Sequence, residues 1–305
     1  MTDMAVTLWG KIFKNPVWSA SGCFGYGFEA ADFFDPAVLG AVVTKGISQN
    51  PWPGNPPPRV YETPAGMLNS IGLQNVGLNA FLEEKLPALA ALDTAVVVNF
   101  LGHREDEYYR LAEALGRAPG IDALEMNLSC PNVDAGGMVF GTSVDATFRL
   151  VKNAKALVGS RPLIAKLSPN VTDIAAFAQA AQDAGADAVS LVNTLLGMAV
   201  DVRTRRPVFK RVVGGLSGPA IKPVALRMVW QVAKAVDIPV IGMGGIASGE
   251  DAAAFLLAGA SAVQVGSAGL RDPLALPRII AQLEELCASQ GVTRVTELTG
   301  ALEEP

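Results

Sequence analysis

Histidine occurs once in the 305 residues and cysteine three times, as Cys23, Cys130 and Cys287. One histidine excludes a His-rich metal site. Three scattered thiols with no Cys-x-x-Cys pair exclude a disulfide framework, a structural zinc site and an iron–sulfur cluster of the chain's own. Charge is sparse as well: 17% of residues are charged, the net charge is −5, and Lys and Arg form no run. That balance argues against nucleic acid and against an anionic membrane surface as partners. The N-terminus MTDMAVTLWGKIFKNPVWSASG lacks a basic segment followed by an apolar run, so it does not read as a signal peptide, and no apolar stretch reaches membrane-spanning length. A reducing, cytoplasmic location is the expectation. What the chain does have is hydrophobic material, 50% of all residues, enough for a large core. Its length suits an α/β barrel folding as one unit, so residues 1–305 read as a single domain.

Eight short strand-like runs recur: VWSAS (17–21), AVVTK (41–45), AVVVNF (95–100), ALEMN (123–127), LIAKLS (163–168), AVSLVN (188–193), PVIGM (239–243) and AVQVG (262–266). They are rich in Val, Ile and Ala without clean alternation, as in a parallel sheet covered on both faces. Amphipathic stretches such as DATFRLVKNAKALV, TDIAAFAQAAQDAG and LALPRIIAQLEELCAS lie between or after them. This alternation predicts a (β/α)₈ TIM barrel. DAGADAV and LAGASAV read as two copies of one helix-to-strand joint. VTLWGKIFKNPV reads as an N-terminal hairpin turning at Gly10-Lys11 and closing the barrel's bottom. The segments after the second and sixth strands, 46–75 and 194–218, are too long for ordinary connections. Both leave C-terminal strand ends, where barrel enzymes keep their chemistry.

GYGFEA (25–30) and GMGGIA (242–247) fit a loose dinucleotide fingerprint. Neither is followed by the acidic residue that such a site needs about 20 positions on, so a Rossmann reading fails. Gly244, Gly245, Gly266 and Ser267 end the seventh and eighth strands, where barrels commonly hold a phosphate; tight turns are the plainer alternative. Polar residues also close other strands: Ser21, Lys45, Asn99, Asn127, Lys166, Asn193 and Thr194. Mostly amides and lysines, they form a donor ring suited to an electron-rich, anionic ligand. No paired carboxylates of glycosidase type stand out. Cys130 lies where a strand gives way to a loop, since Pro131 blocks regular structure; from its position it is packing or reagent. His103, in the charged run GHREDEYYR, reads as a solvated helix-start residue.

The motifs NSIGLQNVG, NLSCPN, AKLSPNVTD, LVNTLLGM, GGLSGPAIKPVALRMV and IGMGGIASGEDAAAFLLAGASAVQVGSA together resemble the dihydroorotate dehydrogenases, FMN enzymes of pyrimidine synthesis, across nearly the whole chain. GGMVFGT and LSGPAIKPVA look like the NAD-linked two-subunit class, class 1B, rather than the fumarate-using homodimers. The resemblance implies that Cys130 is the catalytic base, a role that serine takes in membrane-associated relatives. It implies that Lys45, Asn69, Ser70, Ile71, Gly72, Leu73, Asn127, Asn132, Asn193 and Thr194 hold orotate. Ser21, Lys45, Gly46, Asn99, Asn127, Lys166, Val192 and Gly218 would form the FMN shell, with Lys166 at the flavin's N1/O2 edge, and Gly244, Gly245, Gly266 and Ser267 would hold the phosphate. It further implies an electron-transfer partner carrying FAD and a [2Fe–2S] cluster, in a heterotetramer of two catalytic and two electron-transfer chains. Cys23 and Cys287 keep their reading as packing. Bulk and charge in NFLGHREDEYY depart mildly from the family pattern. A Schiff-base lyase using Lys45 or Lys166, or a barrel kept only for binding, are the rival readings.

Overall fold

The eight Val-, Ile- and Ala-rich runs form short parallel strands that are buried on both faces. In the computed structural model, which describes residues 2–129 and 140–304, they are β1 (Val17–Ser19), β2 (Ala41–Val43), β3 (Ala95–Phe100), β4 (Ala123–Asn127), β5 (Leu163–Lys166), β6 (Ala188–Leu191), β7 (Val240–Met243) and β8 (Ala262–Val265). They close into a barrel in chain order, each pair parallel, with β8 returning to β1. The expected (β/α)₈ barrel is the fold that forms.

Helices Glu105–Arg117, Val144–Lys155, Ile174–Asp183, Lys222–Ala233, Gly249–Leu257 and Ala275–Ser289 surround it. Their starts follow from local chemistry. Asp173 accepts hydrogen bonds from the amides of Ala175 and Ala176, and Ser248 and Asp251 form a reciprocal capping box. The two matching joints share one device: the amides of Ala186 and Ala260 reach back to the carbonyls of Ala181 and Phe255, around Gly185 and Gly259 at φ 91° and 109°. Between β1 and β2 the alternation fails. Only two 3₁₀ turns occur there, Phe28–Ala30 and Pro36–Val38, because Gly22, Gly25 and Gly27 all take positive φ and Pro36 resists helix continuation.

The hairpin pairs Val6–Leu8 with Lys11–Phe13, and Leu8 faces Lys11. Its turn is therefore Trp9-Gly10, one residue earlier than the sequence suggested. Both turn residues have positive φ, 54° and 76°, the twist that two-residue hairpins favour. Trp9 Nε1 donates to the Asp187 carbonyl at 2.9 Å and Lys11 Nζ to Asp122 at 2.6 Å. Asp187 and Asp122 directly precede β6 and β4, so the hairpin covers the barrel's N-terminal mouth. Beneath it Phe13 stacks on Trp18 of β1 at 4.8 Å, both fully buried; the Phe13 side chain alone contributes about 1.5–3 kcal/mol.

The two long excursions meet at the opposite end. Val60–Thr63 and Gly66–Asn69 from the first join Leu195–Met198 and Val213–Ser217 from the second in one four-stranded antiparallel sheet. No helix among the described residues is long and apolar enough to cross a membrane.

Candidate active site

The C-terminal strand ends bring most of the predicted polar residues together. Asn127, last residue of β4, lies beside Lys166, last residue of β5. Asn127 Oδ1 accepts from the Ser129 amide at 3.1 Å and from Asn193 Nδ2 at 3.3 Å, so among the described residues its Nδ2 remains available as a donor. Tyr108 Oη donates to the Asn127 carbonyl at 2.6 Å and anchors that strand end. Asn193 in turn accepts from the Thr194 amide at 2.8 Å. Thr194 abuts Gly215, where a Cβ would fall 2.2 Å from its Oγ1. Gly215 pairs with Asn69, whose Nδ2 donates to the Gly215 carbonyl at 3.2 Å. A continuous set thus runs from Asn127 through Asn193 and Thr194 to Asn69.

Beyond Asn69 the chain turns sharply. Gly72 and Leu73 take φ 73° and 62°; for leucine that is a strained region, held here by surrounding structure. Asn55 fixes this turn, donating from Nδ2 to the Ser70 carbonyl and Oγ, both at 3.1 Å, and from its amide to the Ile71 carbonyl at 2.9 Å. Gly72 must be glycine on space as well, since a Cβ would meet Asn55 at 2.5 Å.

A second group occupies the barrel's upper interior. Lys166 Nζ donates to Ser21 Oγ at 2.7 Å and pairs with Glu125 Oε1 at 3.3 Å. Asn99 of β3 donates to the same Oε1 at 2.7 Å. Its Oδ1 therefore faces the other way, toward Gly46, where a Cβ would lie 2.7 Å from it. Lys45 follows β2, half-buried; burial lowers its pKa, Cys23 and Glu29 oppose that shift, and Arg59 adds to it. A ligand carboxylate there would favour the charged ammonium. A cavity of about 530 Å³ opens on the flank of Lys45, lined by Tyr26, Trp52, Gln74 and Val76 among others; only Lys45 is common to it and the strand-end set.

The glycines form the third group. Met243 of β7 pairs with Gln264 of β8, which sets Gly244-Gly245 beside Gly266-Ser267. Gly244 and Gly245 take φ 127° and 80°. A Cβ on Gly245 would sit 2.8 Å from the Gly218 carbonyl, and one on Gly244 would sit 3.2 Å from Val192. Gly218 and Gly266 each precede a helical turn with no side-chain cap. Bare backbone on adjacent loops is a fit cradle for a phosphate. Lysines, amides and this glycine cradle in one mouth match the donor set that a flavin mononucleotide needs, so the residues present fit that group.

Residues 3–287 match the family model described as Dihydroorotate dehydrogenase. The chain belongs to the dihydroorotate dehydrogenase family. Relatives named "Dihydroorotate dehydrogenase B (NAD(+)), catalytic subunit" are 56% identical over 301 residues in Pelobacter propionicus, covering 99% of this chain and 99% of that one, and 55% identical over 301 residues in Geobacter metallireducens, covering 99% and 98%. A third, from Geotalea daltonii, is 54% identical over 301 residues, covering 99% and 98%.

Two of the residues expected to act in a dihydroorotate dehydrogenase, Cys130 and Asn132, lie outside the described residues. Cys23, read as packing, lies beside Gly266, where a Cβ would fall 3.3 Å from its Sγ, and burial raises its thiol pKa against the pull of Lys166 and Lys45. The structure adds one residue that the sequence reading passed over. Glu125, in mid-strand, is fully buried and takes four donors. A carboxylate inside a strand covered on both faces was the available signal. Cys287 is buried in the last helix, as expected. His103 differs: it is half-buried, its ring 4.5 Å from that of Trp52, rather than solvated.

Proposed function

We propose that this chain is the catalytic subunit of an NAD-linked dihydroorotate dehydrogenase, oxidising (S)-dihydroorotate to orotate in pyrimidine synthesis. Near-full-length identity of 54–56% to relatives carrying that name supports the reading most directly. Residues 1–305 would act as one FMN-binding unit. Cys130 takes the proton from C5 as its thiolate; the C6 hydrogen leaves with its electron pair, and the C5=C6 double bond forms. FMN, when bound, supplies the acceptor for that pair.

The chain's own groups do the rest. Asn69, Asn127, Asn132, Asn193 and Thr194, with the Ser70–Leu73 turn, orient a ring that has two carbonyls, two N–H groups and a carboxylate, a task that needs donors and acceptors together. Lys45 faces the carboxylate. Ser21, Gly46, Asn99, Lys166, Val192 and Gly218 hold the flavin ring, and Gly244, Gly245, Gly266 and Ser267 its phosphate. Electrons leave through a partner carrying FAD and a [2Fe–2S] cluster, in a cytoplasmic heterotetramer of two catalytic and two electron-transfer chains. The lyase reading loses ground because Lys166 is ion-paired with Glu125 deep in the barrel.

The deciding experiment is the visible spectrum of the purified chain before and after anaerobic dihydroorotate. A flavin spectrum that bleaches on addition is expected, whereas a colourless protein, or a borohydride-trapped adduct on Lys45, would favour the lyase. Within the site, Asn127→Ala removes one donor and should weaken orotate binding by about tenfold, the cost of one hydrogen bond in a buried polar site. Titration of the bound flavin's spectrum with orotate measures it, and unchanged affinity would remove Asn127 from the substrate set.

A further inference from the structure

Five strands send side chains to one point in the barrel. Glu125 of β4 receives Asn99 Nδ2 from β3 at 2.7 Å, Lys166 Nζ from β5 at 3.3 Å, Ser190 Oγ from β6 at 2.9 Å and Gln264 Nε2 from β8 at 2.7 Å. All five residues are buried, with Glu125 at 0% and Lys166 at 4% exposure. Four donors converge on two oxygens, a set that fits an ionised carboxylate and would oppose a proton on it. Burial alone would raise the Glu125 pKa; Lys166, then Gln264, Asn99 and Ser190, reverse that and hold it below the ordinary carboxylate range. Packing does not account for the arrangement, because an apolar side chain would fill the same space without the desolvation that two buried ions incur.

The network also has a direction. Lys166 and Asn99 are the two members of it that belong to the proposed flavin shell, and each donates to Glu125 Oε1. Asn99 spends its NH₂ on the carboxylate, so its carbonyl oxygen faces the Gly46 side. Lys166 has its charge opposed by an anion 3.3 Å away, which reduces the positive potential around it.

We infer that Glu125 is a positioning residue of this dehydrogenase, a buried anion that sets the flavin's reduction potential by offsetting the Lys166 charge and fixes which end of Asn99 faces the cofactor. This rests on the functional reading above. A cation near the flavin's pyrimidine edge favours the reduced, more negative form. Removing the anion that masks Lys166 must therefore raise the potential, and removing Lys166 must lower it.

The test is the midpoint potential of flavin-loaded protein, equilibrated with reference dyes. Glu125→Gln keeps the side chain's shape and removes its charge. It should retain flavin and shift the reduction equilibrium at least tenfold toward the reduced form, about 30 mV upward for a two-electron couple. Lys166→Met should shift it the opposite way, and adding Glu125→Gln to Lys166→Met should bring it back toward the wild-type value, because the fields of the two charges add at the flavin. An unshifted potential in flavin-loaded Glu125→Gln overturns the inference. So does a double variant whose potential stays at the Lys166→Met value, a comparison that remains decisive if the single Glu125 variant does not hold flavin. A wild-type chain that binds no flavin defeats the functional reading itself, an outcome distinct from a flavin-loaded variant with an unmoved potential.

Discussion

Replacing Cys130 by serine is expected to leave FMN bound while slowing flavin reduction by dihydroorotate about two to four orders of magnitude at neutral pH, the usual scale for loss of a general base. The argument is one of acidity. A free thiol ionises near pH 8.5, and cationic or donor surroundings lower that value, so a useful thiolate fraction exists at neutral pH. A serine hydroxyl offers no such fraction. The residual rate should therefore climb with pH, as solvent hydroxide and rare alkoxide take over. Anaerobic stopped-flow at the flavin absorbance measures this, with the spectrum before mixing reporting retained cofactor. Cys23→Ser is the control: burial raises that thiol's pKa, which keeps it protonated, so its loss should leave the pH profile of flavin reduction in place. Wild-type speed in the Cys130 variant would remove it from the chemistry.

A second large effect concerns where the electrons go. The isolated chain should reduce dyes or oxygen from dihydroorotate yet form NADH at a rate lower by orders of magnitude than the assembled enzyme. Three cysteines cannot ligate a four-thiolate cluster, and neither glycine motif has the acidic partner of a dinucleotide site. Both motifs also have other structural duties: Gly25 and Gly27 turn the chain between β1 and β2, and Gly244-Gly245 packs against Gly218. Adding a subunit with FAD and a [2Fe–2S] cluster should restore NADH formation through an interface of at least about 1,000 Å², since electron transfer at fixed distance needs a stable contact. Absorbance at the NADH band, with mass spectrometry showing the preparation free of partner, is the measurement. Rapid NADH formation by the pure chain would refute the two-subunit division and leave the FMN barrel standing.

The barrel was legible because its signal is local. Val-, Ile- and Ala-rich runs define each strand within a handful of residues, and all eight strands lie within the runs read from sequence. The helix-to-strand joints at Gly185 and Gly259 were legible for the same reason. The hairpin turn slipped by one residue because Trp9 occupies a positive φ that composition assigns to glycine. Illegible features were those made by distant partners. The sheet joining Gly66–Asn69 to Val213–Ser217 depends on a pairing that neither segment announces. Glu125 reads as an ordinary charge in ALEMN, and its meaning appears only when Asn99, Lys166, Ser190 and Gln264 arrive from four other strands. Residues carried by short motifs were assigned through resemblance; those defined by convergence were not.

That upper sheet has a consequence for the order in which the molecule acquires its parts. The βα units that carry neither excursion close loops of about 30 residues, whereas the Asn69–Gly215 contact spans 146 positions, a difference of about 1.4 kcal/mol in closure entropy if the intervening chain is still unfolded. The sheet can avoid that penalty only by waiting until the barrel has brought the two excursions together. Assembly then proceeds from the hairpin-sealed floor upward, and the Asn69 and Thr194 end of the site is the last to become native. The same hierarchy is expected to run in reverse under stress: a chain weakened by heat or mutation should give up the mouth that carries Asn69 and Thr194 while the interior around Glu125 is still intact.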